Sequence, residues 1–148
     1  MISAAADEMH QQRFDYYADC ASALVSEAEA LGGSADRALA IAGELLTPNS
    51  RYVSLLRRSR GIALARLGDR KAALGELEQS IAAAREIGED YEFVLSLDAL
   101  ATVRPLGPDE RRERDEILER LGIVHLPTIP GPDQKPVGEP ALAAVTGD

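Results

Sequence analysis

Small and apolar residues recur along most of this chain at steps of three and four, the spacing that gathers them on one face of a helix. In the first run, from about Ala4 to Leu31, those positions are Phe14, Tyr17, Ala21, Leu24, Ala28 and Leu31, which makes them the expected core stripe of a long helix. Tyr16 and Tyr17 point about 100° apart on such a helix, so only one can be core and the other is free for an exposed aromatic contact. Gly32-Gly33 reads as the stop, since glycine takes the left-handed conformation at a helix end without steric cost. Ser34 then offers a cap for ADRALAIAGELL, with Ala38, Ile41 and Leu45 inward.

Thr47-Pro48-Asn49-Ser50 breaks the pattern, and Asn49 or Ser50 is the expected cap of a third helix running to Leu67. Its expected core is Tyr52, Leu55, Leu56, Ala63 and Leu64. Gly68-Asp69 turns the chain into a fourth helix, where Ala73, Leu77, Ile81 and Ala84 form the stripe. Gly88-Glu89-Asp90 marks the next boundary. A fifth helix follows, from about Tyr91 to Val103, with Phe93 or Val94, Leu97, Leu100 and Ala101 inward. Arg104-Pro105-Leu106-Gly107-Pro108 ends it, and Pro108 suits the first turn of a sixth helix that carries Ile117, Leu118 and Leu121 and stops at Gly122.

Beyond Gly122 the pattern disappears. The last stretch holds Pro127, Pro130, Pro132, Pro136 and Pro140, so residues 123–129 are expected as an extended strap and the remainder as a Pro-rich disordered tail. The expectation is therefore an all-α domain over residues 1–122, a stack of about three antiparallel helix hairpins, followed by strap and tail over 123–148.

The segment Arg60–Asp90 shows the hairpin logic best. Gly61 stands where two helices must approach closely, Leu64 fills a core position, and Ala73, Leu77 and Ser80 line the returning helix. These positions resemble the tetratricopeptide repeat family, with Arg60-Gly61 in place of its Trp/Leu-Gly pair, Leu64 in place of its usual Tyr, and Arg85 where its closing Pro stands. Over roughly Arg58 to Pro127, the runs RGIALARLGD, ALGELEQSIAAAREIGEDYEFVLSLDAL and RDEILERLGIVHLP also resemble the C-terminal helical-repeat region of large bacterial signalling ATPases, some of which carry an adenylate/guanylate cyclase domain. That resemblance implies a non-catalytic repeat domain that holds or senses partners, and no cofactor is expected. A single hairpin cannot bury its own apolar face, which is why neighbours must stack on it.

Composition supports helices: hydrophobic residues make up 45% of the chain but aromatics only 4%, so the apolar count leans on Ala and Leu. Sixteen basic against 25 acidic side chains leave a net charge of −9, which argues against nucleic acid as a partner. The charge is uneven. Residues 51–67 carry Arg51, Arg57, Arg58, Arg60 and Arg66 and no acid, whereas residues 1–50 carry two basic and eight acidic side chains. Arg57, Arg58 and Arg60, with Tyr16, are the candidate partner-binding residues, forming a groove for an acidic or carboxylate-terminated peptide. The competing reading pairs the arginines with Asp15, Asp19 and Glu27 on the first helix.

Other chemistry finds little footing. No GxxxxGK[ST] phosphate loop occurs, His10 and His125 lack the spacing of a metal site, and Cys20 has no base beside it. A lone cysteine suits a reducing compartment, and neither a secretory leader nor a span of about 20 apolar residues is evident, so the expected location is the cytoplasm without membrane contact. The expected function is a non-catalytic protein–protein interaction or scaffold module of a bacterial regulatory system. Two alternatives are a peptide or small-ligand sensor and a fragment supporting an ATPase or cyclase domain. A homodimer is expected if an end helix leaves an apolar face open.

Overall fold

The computed structural model describes residues 2–129 and 131, with side chains from residue 7 onward. Among them the only regular elements are six helices: α1 (Ile2–Gly32), α2 (Ala35–Leu45), α3 (Val53–Arg66), α4 (Arg70–Ile87), α5 (Asp90–Val103) and α6 (Pro108–Leu121). The protein is all-α over this range. The expected tail beyond residue 131 lies outside the described residues.

Helix boundaries follow local chemistry. Ser34 accepts a hydrogen bond from the Arg37 amide and Asp69 one from the Ala72 amide, each satisfying a first-turn donor. Gly68, Gly88 and Gly122 close their helices at φ of 86°, 71° and 67°, where a side chain would be strained. Gly32 and Gly33 do not use that conformation. The end of α1 is capped instead from another element: the Arg66 guanidinium donates to the carbonyls of Glu29, Ala30 and Gly33 at 3.0, 2.8 and 2.9 Å. Asn49 and Ser50 do not cap α3 either. Its N-cap is Tyr52, which makes no side-chain capping bond.

α3 is the hub. It packs against α1, α2, α4 and α5, while α2 and α4 make no packing contact with each other. Gly61 explains the tight α3–α4 join, because a Cβ there would lie 2.5 Å from the Leu77 side chain and 3.3 Å from the Ala73 carbonyl oxygen. The α4 stripe is as expected, with Ala73, Leu77, Ile81 and Ala84 all buried together with Ile62, Ala63, Phe93, Val94, Leu97 and Leu100.

The first helix departs from expectation. Phe14, Tyr17 and Leu24 face solvent, and the buried positions of α1 are Ala23, Ser26 and Ala30. Small side chains let α1 lie close to α2 and α3, as shown by Ser26 donating to the Ala38 carbonyl. The more hydrophobic stripe is on another side of the same helix. On α6, Ile117 is buried but Leu121 is exposed.

Residues 123–129 run as an extended strap from the end of α6. Ile123 donates to the Leu118 carbonyl, and Leu126 and Ile129 pack against the main core.

Candidate functional site

The strap ends in a cavity formed by every second helix. Leu24, Glu27 and Leu31 of α1, Leu55, Arg58 and Ile62 of α3, and Tyr91, Glu92 and Leu95 of α5 line a space of about 210 Å³, and Pro127 and Ile129 complete its wall. Its walls are mostly aliphatic. Its floor is an ion cluster.

That cluster centres on Arg58, which is 1% exposed. Its Nε and Nη2 donate to Glu27 Oε1 at 3.0 and 2.6 Å, and its Nη1 donates to Glu92 Oε2 at 2.6 Å. One guanidinium thus ties α1 and α5 to α3. Burial alone would favour losing the Arg58 proton, but the carboxylates of Glu92 and Glu27 outweigh it and hold the group above its ordinary range. A guanidinium suits this place because its planar fork serves two carboxylates at once.

A serine ladder continues the polar seam. Ser80 Oγ donates to the Ser54 carbonyl at 2.6 Å, and Ser54 Oγ reaches the Ser80 carbonyl at 3.1 Å. The Ser80 and Ser96 hydroxyls lie 2.7 Å apart, and the Ser96 proton is shared between Ser80 Oγ and the Glu92 carbonyl. All three serines are buried, so the ladder registers α3, α4 and α5 by polar contacts that must be satisfied away from water.

The other candidate arginines are also committed within the molecule. Arg57 Nη1 contacts both carboxylate oxygens of Glu76, at 3.2 and 3.0 Å. Arg60 Nε sits 3.1 Å from Glu76 Oε1 as an ion pair that lacks hydrogen-bond geometry. These residues clamp α3 to α4. The arginines therefore do pair with acids, but with Glu27, Glu76 and Glu92 rather than with Asp15 and Asp19. Arg58 is buried and not part of an open basic groove, because carboxylates of three other helices neutralise it and its neighbours.

Tyr16 occupies a different place. Arg51 lies over its ring at 5.3 Å, and its ring centroid is 6.3 Å from that of Tyr52. The Tyr52 hydroxyl is buried without a hydrogen-bond partner, and the adjacent Tyr16 phenol, burial and the Cys20 thiol all raise its pKa well above the usual phenol range. Open clefts on either side of this pair, of about 620 and 410 Å³, are lined by Glu89, Asp90 and Glu92 on one side and Asp15, Asp19 and Glu44 on the other. Their charge disfavours an acidic ligand. No helix among the described residues is long and apolar enough to cross a membrane.

Sequence reasoning placed Arg58 correctly on α3 but missed Glu92 and Ser96 as its partners. The available signal was a charged residue flanked by Ser54, Leu55, Leu56, Ser59 and Gly61, a composition suited to burial on more than one side. Comparison with protein-family models, with curated proteins and with solved structures finds no match.

Proposed function

We propose that this chain is a non-catalytic, tetratricopeptide-like interaction module whose α1–α3–α5 face receives extended, apolar, proline-containing peptide segments, with its own strap as the resident occupant. The observation that carries this reading is that Pro127 and Ile129 of the strap border the aliphatic cavity lined by those three helices. An open face built from every second helix is what stacked helical hairpins offer a peptide, which supports the hairpin-stack reading and the resemblance to helical-repeat regions of signalling proteins.

The occupant is held lightly. Among the described residues, Ile123 makes the only backbone hydrogen bond of the strap, and the rest of its attachment is side-chain burial. Full burial of an Ile or Leu side chain contributes about 1.5–3 kcal/mol. Leu126 and Ile129 are only half-buried, so a competing segment needs modest affinity to replace them. The floor contributes positioning and not attraction, because Arg58, Glu27 and Glu92 already satisfy one another.

The test uses a Leu126→Asp/Ile129→Asp variant of the full chain and a fluorescent peptide of the native sequence 123–131. Its anisotropy should rise with the variant, whose groove is vacated, and much less with the native chain. Equal binding to both, or none to the variant, would reject the groove.

A further inference from the structure

The expected core stripe of α1 that the fold leaves outside has its own regularity. Phe14, Tyr17, Ala21 and Leu24 follow one another at steps of three, four and three. That is the a/d seam of a two-heptad coiled coil, and a 3.5-residue repeat is the pattern by which one helix recognises another along its length. Phe14, Tyr17 and Leu24 are 70%, 61% and 53% exposed, and Ala21 is exposed with them. α2 and α3 pack on the side marked by Ala23, Ser26 and Ala30 and leave Phe14, Tyr17 and Ala21 uncovered, while Leu24 borders the strap cavity.

We infer that α1 pairs with α1 of a second copy of this chain, antiparallel, along Phe14–Leu24. Size and charge select the partner and its direction. In that register Phe14 meets Leu24 of the second copy and Tyr17 meets its Ala21, so each large side chain faces a smaller one, as interdigitating layers require. A parallel register would set Tyr17 on Tyr17 and Ala21 on Ala21, crowding one layer and leaving a gap in the next.

The flanking positions agree. Arg13 falls opposite Glu27 of the second copy, whose side chain is 22% exposed while it holds Arg58. Gln11, Ala18 and Val25 flank the other side of the seam and carry no charge. The acids Glu8, Asp15 and Asp19 lie on turns that point away from it, so an acidic chain can pair with itself here without bringing like charges together. The antiparallel sense also sends the two helical bodies toward opposite ends of the pair.

The experiment is sedimentation equilibrium of the full chain from micromolar to near-millimolar concentration, with Phe14→Glu and Tyr17→Glu as variants. The native chain should pass from monomer to dimer, and each variant should weaken the dimer at least about tenfold. Far-ultraviolet circular dichroism should be unchanged, because both side chains are exposed. Ala18 of the two copies would meet beside the dyad, so Ala18→Cys in a Cys20→Ser background should form a disulfide-linked dimer on mild oxidation. A native chain that stays monomeric overturns the proposal. So does a dimer indifferent to both glutamate variants, or a sensitive dimer that Ala18→Cys does not cross-link. Phe14, Tyr17, Ala18 and Cys20 do not line the strap cavity, so these results are read separately from peptide binding there.

Discussion

At the scale of single residues, Arg58 carries the largest electrostatic burden in the molecule. Its guanidinium is removed from water and compensated by the carboxylates of two side chains that are each 22% exposed. Breaking such a cluster from the inside costs more than deleting it whole, because the acids left behind lose their counter-ion. Arg58→Met is expected to lower unfolding free energy by about 3 kcal/mol in urea titration. Adding Glu27→Gln and Glu92→Gln should restore a large part of that loss, and a triple variant as unstable as the single one would show that side-chain packing, not charge, is what Arg58 supplies. Arginine's identity was legible in the sequence; its burial was not. A charged residue in a helical pattern is ordinarily assigned to the solvent face, and only the arrival of α1 and α5 on both flanks of α3 makes this one internal.

Among the elements, the α3–α4 join is the part most fully foreshadowed. The close approach at Gly61, the turn at Gly68-Asp69 and the stripe Ala73, Leu77, Ile81, Ala84 all stand as their spacing indicated. Local signals suffice here because the two helices are adjacent in sequence and the turn fixes their register. Gly61→Ala would press a methyl group into Leu77, so a loss of about 1–3 kcal/mol is expected in thermal or urea unfolding. A neutral or stabilising effect would mean that the helices separate at no cost. α1 is the opposite case. Its two faces both have helical spacing, and the sequence favours the one with Phe14, Tyr17 and Leu24 on hydrophobicity alone. The fold buries Ala23, Ser26 and Ala30, because the gap beside α2 and α3 admits only small side chains.

For the whole molecule, the uneven charge is resolved by assembly. The arginines of residues 51–67 stand among acids of α1, α4 and α5, and the last corner is fixed in the same way. Arg104 holds Glu110 with bonds of 2.9 and 2.8 Å, and the Gly107 amide donates to the same carboxylate at 2.7 Å. These hydrogen bonds, Arg104 first, pull the Glu110 carboxyl down from 4.5 to about 2. A depressed folded-state value gives stability that is present above the unfolded value and lost as pH falls. Unfolding followed from neutral pH downward should therefore show a loss between about 4.5 and about 2 that Glu110→Gln reduces. An unchanged acid limb in that variant would remove Glu110 from the account. The proposed groove and the proposed α1 pairing meet at Leu24 and Glu27 and otherwise use different residues.

The sequence by itself determined that the chain is helical, that it turns at Gly68, Gly88 and Gly122, and which residues bind α4 to α3, because propensity, capping and spacing act over a few residues. Tertiary structure alone decided which face of α1 is inside, that Arg58 is enclosed between Glu27 and Glu92, and that the strap comes to rest between α1, α3 and α5. Those outcomes join residues some thirty or more positions apart, where only the fit of whole helices sets the distance and no local pattern can record it.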